Sequence, residues 1–190
     1  MENQTTDLRV IRTRQSIRKA ICDMVVEMDY PDITVKELTR RAMINRNTFY
    51  LHYSSIDALW EEICNEIADK LISMYASYDN IDDFKVMIRS FFEYVASGES
   101  TLLERILCCD SYHVLAKQIN YRVINHRKEM RRGVTGLSEA AEEIILSYSG
   151  SVAAVLIRRW IADGKKLPVE ELTELATKLI CHGMESVIGQ

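Results

Sequence analysis

The chain has 190 residues, enough for one compact domain or a small module with a larger companion. Hydrophobic residues make up 47% and charged residues 27%, ordinary for a soluble globule with a real core, and only seven Gly and two Pro favour long helices over a sandwich or barrel. The net charge of −4 argues against a nucleic-acid partner only as an average: residues 9–53 carry nine Lys/Arg against five Asp/Glu, and residues 54–190 fifteen against twenty-one. A basic front on an acidic body can still hold phosphates, because screening confines each charge to roughly 10 Å.

The helical signal then repeats from end to end. Residues 9–29 set Ile17, Ile21, Met24, Val25 and Met28 on one stripe, with Arg12, Arg14, Arg18 and Lys19 mostly off it. Tyr30-Pro31 ends this helix, since the residue before proline avoids the helical region. Thr34-Val-Lys-Glu37 reads as a capping box opening a helix of two turns, to about Ala42. Asn45 is the expected N-cap of a second short helix, Arg46 to His52, and Ser54-Ser-Ile-Asp57 of a long one carrying Leu59, Trp60, Ile63, Ile67 and Leu71. Further helices are expected over 82–96, 101–109, 111–131, 138–162 and 168–188. Gly133 and Gly136 bracket one break, and Asp163-Gly164 ends the penultimate helix. The predicted fold class is therefore all-α.

Two short helices joined by about three residues form a helix-turn-helix, with Ile33, Leu38, Ala42, Ile44 and Phe49 as its small core. The second must be short and polar outside to enter a major groove about 12 Å wide. Its outer face offers Arg46, Asn47, Thr48, Tyr50 and His52. Arginine pairs with guanine and asparagine with adenine, while threonine, tyrosine and histidine donate to phosphate. By spacing alone such a pair can be plain scaffold; the caps and the local positive charge favour DNA.

The stretch resembles the DNA-binding segment of the TetR family of regulators. The parallels are Thr34, Glu37-Leu38, Ala42-Met43-Ile44-Asn45, Thr48-Phe49-Tyr50-Leu51-His52-Tyr53 and Ser55-Ile56-Asp57-Ala58-Leu59. Three positions depart from the family pattern: Met43 and Asn47 stand where glycine or a small residue is usual, and Ile56 replaces a lysine that often contacts phosphate. The resemblance implies a helix-turn-helix domain at 9–54, a connecting helix at 55–76, and a helical effector-binding and dimerisation domain at 77–190. Thr34, Tyr50 and His52 would hold phosphates, Arg46, Asn47 and Thr48 would face bases, Arg12 and Thr13 would reach the flanking backbone, and Lys36 is a further DNA-binding candidate. The partner would be double-stranded, near-palindromic operator DNA, bound by a homodimer with its readers about one helical turn apart. Families of this kind most often repress, and an effector favouring another reader spacing would release the operator.

The same resemblance implies an effector pocket in the middle helices, with Met87, Phe91, Tyr94 and Tyr112 as candidate lining for a small apolar effector. The broad apolar surface of 138–162, with Tyr148, Val152, Val155 and Leu156, and Leu175 and Leu179 of the last helix make a candidate dimer interface as an intermolecular four-helix bundle. Those faces could also close the monomer's own core. Five cysteines in no framework spacing read as free thiols in a reducing cytoplasm. Cys108-Cys109 leaves open a redox-responsive regulator. Cys109 and His113 are too few for a metal, and His126 and His182 read as surface or packing residues. No triad, phosphate loop or carboxylate pair suggests an enzyme, and no cofactor is expected. A protein-interaction adaptor that keeps the helix-turn-helix as scaffold is the other reading. The polar start, MENQTTDLR, is no signal peptide, and the longest apolar run, Val152 to Ile157, is far too short for a membrane span.

Overall fold

The computed structural model describes residues 8–75, 81–97, 101–131 and 138–188. Among them there are nine α-helices and no strand. They are α1 (Leu8–Glu27), α2 (Val35–Arg41), α3 (Arg46–Tyr50), α4 (Ile56–Tyr75), α5 (Ile81–Ala96), α6 (Thr101–Cys108), α7 (His113–Arg131), α8 (Glu139–Ala162) and α9 (Val169–Ile188). The expected Gly133–Gly136 break lies outside the described residues. The chain divides into two compact units, and the boundary falls inside α4, between Ile63 and Cys64.

In the first unit α1 buries Ile17, Ala20, Ile21, Met24 and Val25, the stripe its periodicity demands, while Met28 is only half-buried. A short 3₁₀ turn, Tyr30–Asp32, follows with Pro31 in its first turn. Thr34 caps α2, its hydroxyl accepting from the Glu37 amide at 3.3 Å. Glu37 was expected to reach back to the cap; its carboxylate instead accepts from Arg40 and Arg41. Two guanidiniums one turn away on the same helix face outcompete a single backbone amide.

The turn between α2 and α3 is a Schellman motif. The Ile44 amide donates to the Thr39 carbonyl at 3.0 Å and the Met43 amide to that of Arg40 at 3.3 Å. This geometry puts Met43 in the left-handed region, with φ of 53° and 92% of its surface exposed. A β-carbon there costs on the order of 1–2 kcal/mol, and so exposed a side chain recovers little by packing. Met43→Gly is therefore expected to raise the unfolding free energy of this unit by roughly 0.5–1 kcal/mol, net of the extra freedom glycine gives the unfolded chain. Chemical denaturation of the two proteins checks this; equal or lower stability for the glycine variant would count against the strain.

In the second unit α5 lies chiefly against α9, and α8 packs on α6, α7 and α9. Ile88, Phe92, Val95, Leu103, Ile106, Ile157, Leu172, Ala176 and Ile180 form the core. α8 ends in a second Schellman motif, with Gly164 at φ 73°. The Trp160 indole donates to the Leu167 carbonyl at 2.7 Å and anchors the turn into α9. Arg122 of α7 donates to Asn65 and Asp69 on the second half of α4. By length and composition α8 is apolar enough to cross a membrane, a test that helices of water-soluble proteins also pass. Between the core and α7 and α8 lies a cavity of about 450 Å³.

Candidate nucleic-acid interface

The reader is built from the turn outward. Asn45 caps α3, its side-chain carbonyl accepting from the Asn47 amide at 2.8 Å. Phe49 is fully buried and anchors the inner face of α3, beside buried Leu38, Ala42 and Ile33. Ile44, also expected in this core, is half-buried. Phe49 meets Tyr53 at 5.7 Å between ring centroids and Tyr50 edge-on at 5.5 Å. With one face fixed, α3 turns Arg46, Asn47 and Tyr50 to solvent, while Thr48 and His52 are half-buried.

The Arg46 guanidinium donates to the Tyr50 hydroxyl at 3.3 Å and stands 5.9 Å from that ring's centroid. This stack holds a flexible side chain upright along the helix. It leaves further guanidinium donors unused, and the Tyr50 hydroxyl, here an acceptor, keeps its own proton free to donate. The Thr34 hydroxyl likewise accepts in its cap and can still donate. The Thr13 hydroxyl is committed differently, donating to the Arg9 carbonyl at 2.8 Å.

Charge on this unit is sorted by internal pairing. Glu62 of α4 accepts from Arg14 in a short contact, from Arg18 at 3.5 Å and from the Tyr53 hydroxyl at 2.8 Å, and Arg14 lies over the Tyr53 ring. Burial pushes the Glu62 carboxyl up, but hydrogen bonds from Tyr53 and Arg14 outweigh it and hold the group below the usual carboxylate range. Burial, with the hydrogen bond to Glu62, pushes the Tyr53 hydroxyl up to about 12. Arg41 is bound by Glu27 and Glu37, and Arg40 by Glu37, whose carboxyl these arginines hold at about 2. Arg12, Lys36 and Arg46, all expected at the DNA, have no carboxylate partner among the described residues, and neither does Lys19. The acid clamp at Glu62 escapes sequence reading, because Glu62 is 44 and 48 residues from the arginines it holds. Leu51, 83% exposed beside the reader, also gave no periodic signal.

Of the other expected sites, Met87 and Phe91 line the 450 Å³ cavity. Tyr112 is fully buried instead, and Tyr94 stands under the Lys70 ammonium; neither is part of the cavity wall. α6 is followed by a 3₁₀ turn, Asp110–Tyr112, that turns Tyr112 into the core. On α8 and α9, Tyr148, Val155, Leu175 and Leu179 are exposed, whereas Val152 and Leu156 are half-buried. All five thiols are free; burial pushes Cys108 up, away from the thiolate a redox sensor needs, and Cys109 Sγ lies 3.2 Å from the Ser111 hydroxyl.

An N-terminal helix-turn-helix unit is thus followed by a larger helical unit. No protein-family model matches the chain. An uncharacterised HTH-type transcriptional regulator of Bacillus subtilis (strain 168), YxbF, is 41% identical over 70 residues, 34% of this chain. The match spans only 18% of that relative's length. Solved structures match over nearly the whole chain. A TetR transcriptional regulator from Streptococcus agalactiae superposes with a TM-score of 0.68 at 20% identity, covering 92% of this chain and 96% of its own. NalD, the secondary repressor of a multidrug efflux pump in Pseudomonas aeruginosa, gives 0.71 at 14% identity, covering 92% and 96%. FadR, a fatty acid degradation regulator from Bacillus halodurans, gives 0.61 at 14%, covering 90% and 95%. The chain has the fold of the TetR-family regulators.

Proposed function

We propose that this chain is a TetR-family transcriptional regulator that binds a near-palindromic operator as a homodimer, in the cytoplasm, and that it represses until a small molecule occupies its second unit. The observation that carries the reading is α3: Phe49 pins one face inward, and Arg46, Asn47 and Tyr50 stand outward with donors to spare. That arrangement suits base edges and phosphates in a major groove. Thr34, Lys36 and His52 are assigned to phosphates, Thr48 to bases, and Arg12 and Thr13 to the flanking backbone. No catalytic role is assigned.

Dimerisation through α8 and α9 is supported by their surface. Ile144 is 69% exposed, and Tyr148, Val155, Leu175 and Leu179 join it. The Tyr148 hydroxyl donates to the Leu179 carbonyl at 3.2 Å and ties the two helices together across that face. An apolar surface of this breadth is unfavourable in water and suits an intermolecular four-helix bundle.

Selection of bound fragments from genomic DNA, followed by a salt titration on the best fragment, tests the proposal. The expected result is a near-palindrome bound by two protomers at nanomolar strength, weakening steeply as salt rises. Binding indifferent to sequence, by a protein that sediments as a monomer, would overturn it and favour the adaptor reading.

A further inference from the structure

We propose that the cavity of the second unit takes an anionic amphiphile: an apolar chain or ring system carrying a single negatively charged headgroup. This rests on reading the cavity as the effector site and adds the class of ligand. The volume, about 450 Å³, lies in the ~300–1,000 Å³ range of small-molecule sites. Its inner wall is apolar, with Met87, Ile88, Phe91 and Phe92 of α5; the two phenylalanines stand edge to face at 5.7 Å.

The charged part of the wall has one sign. Its charged side chains are Lys117 of α7 and Arg158 of α8, both exposed to solvent, and His113 lies one turn before Lys117. No Asp or Glu lines the cavity among the described residues. That contrasts with the surrounding sequence, since residues 54–190 hold twenty-one Asp/Glu against fifteen Lys/Arg. Nor do nearby acids quench these cations. Glu104, on α6, is taken by Lys165 at 2.9 Å, and Lys117 and Arg158 have no carboxylate partner among the described residues. Asn120 adds an amide on the same side of α7, and Gly150 of α8 leaves room for it: a β-carbon there would stand 3.2 Å from the Asn120 Oδ1.

An apolar chamber with cations on its wall discriminates by charge. A carboxylate or similar headgroup can meet Lys117 and Arg158 at the solvent-exposed edge of the lining while its apolar part enters against the buried Met87, Ile88 and Phe92. A cationic amphiphile meets like charge there, and a neutral one leaves both cations without a partner.

Calorimetric titration of the full chain, without DNA, with decanoate, decanol and decyltrimethylammonium tests this. Decanoate is expected to bind at least ~10-fold tighter than either of the others, about 1.4 kcal/mol. The double variant Lys117→Ala/Arg158→Ala should lose about that factor for decanoate and leave decanol unchanged. Ala154→Trp, which fills the cavity, should abolish decanoate binding. Equal affinities, a preference for the cation, no binding at all, an indifferent double variant or binding that survives A154W would each overturn the inference. Operator binding by ligand-free protein is measured separately, so failure here leaves the regulatory reading standing, and loss of operator binding leaves this one standing.

Discussion

Arg46→Ala is expected to lower affinity for the selected operator by about 5- to 150-fold, the ~1–3 kcal/mol carried by one good arginine–base pair. Thermal unfolding should move little, within the ~0.5 kcal/mol usual for a surface change, because the partner of this guanidinium among the described residues is the exposed Tyr50. The loss should be uneven across operator variants: large on the selected sequence, small at the position where guanine has been replaced. Gel-shift titrations on a set of single-base variants separate that pattern from a uniform loss. A uniform loss would make Arg46 a phosphate contact, and no loss would remove α3 from the interface. Tyr50→Phe is the informative partner, since it deletes the acceptor that steadies Arg46 and the proton offered to phosphate.

Phe49→Ala acts from the other side of the same helix and is expected to cost about 3–5 kcal/mol, as for other fully buried phenylalanines. α3 is only five residues long and cannot hold itself together without its anchor. Trp60 lies in the first unit and Trp160 in the second, so fluorescence in a Trp160→Phe background reads the reader unit alone. The denaturation midpoint of that signal should fall sharply and operator binding should vanish, while α-helical circular dichroism is mostly retained by the second unit. An unchanged Trp60 transition would mean that the buried ring contributes far less than its burial implies.

Much of this was legible from sequence because the relevant signals are local. The α1 stripe, the Thr34 and Asn45 caps, the Tyr30-Pro31 stop and the Asp163-Gly164 stop each depend on residues within a turn or two, and helix starts and ends fell close to expectation. Met43 could be flagged as a departure, but only backbone geometry shows that it occupies a left-handed position. The charge pattern was harder. Nine basic residues in 9–53 look alike in sequence, yet Arg14, Arg18, Arg40 and Arg41 are bound by Glu62, Glu27 and Glu37, while Arg12, Lys36 and Arg46 are not. Tyr94 and Tyr112 fitted an apolar wall by composition; which way a ring turns depends on the 3₁₀ turn and on Lys70, and neither leaves a periodic trace.

The acid clamps on the reader bear on how such a protein would find its target. A chromosome offers about 10⁶–10⁹ wrong sites for each right one, and every unpaired cation binds all of them equally. By holding four arginines in internal pairs, Glu27, Glu37 and Glu62 would keep that indiscriminate attraction low and leave discrimination to α3. In a protein that binds DNA through this unit, the carboxylates would thus act on search time, shortening each stay on the wrong sequence.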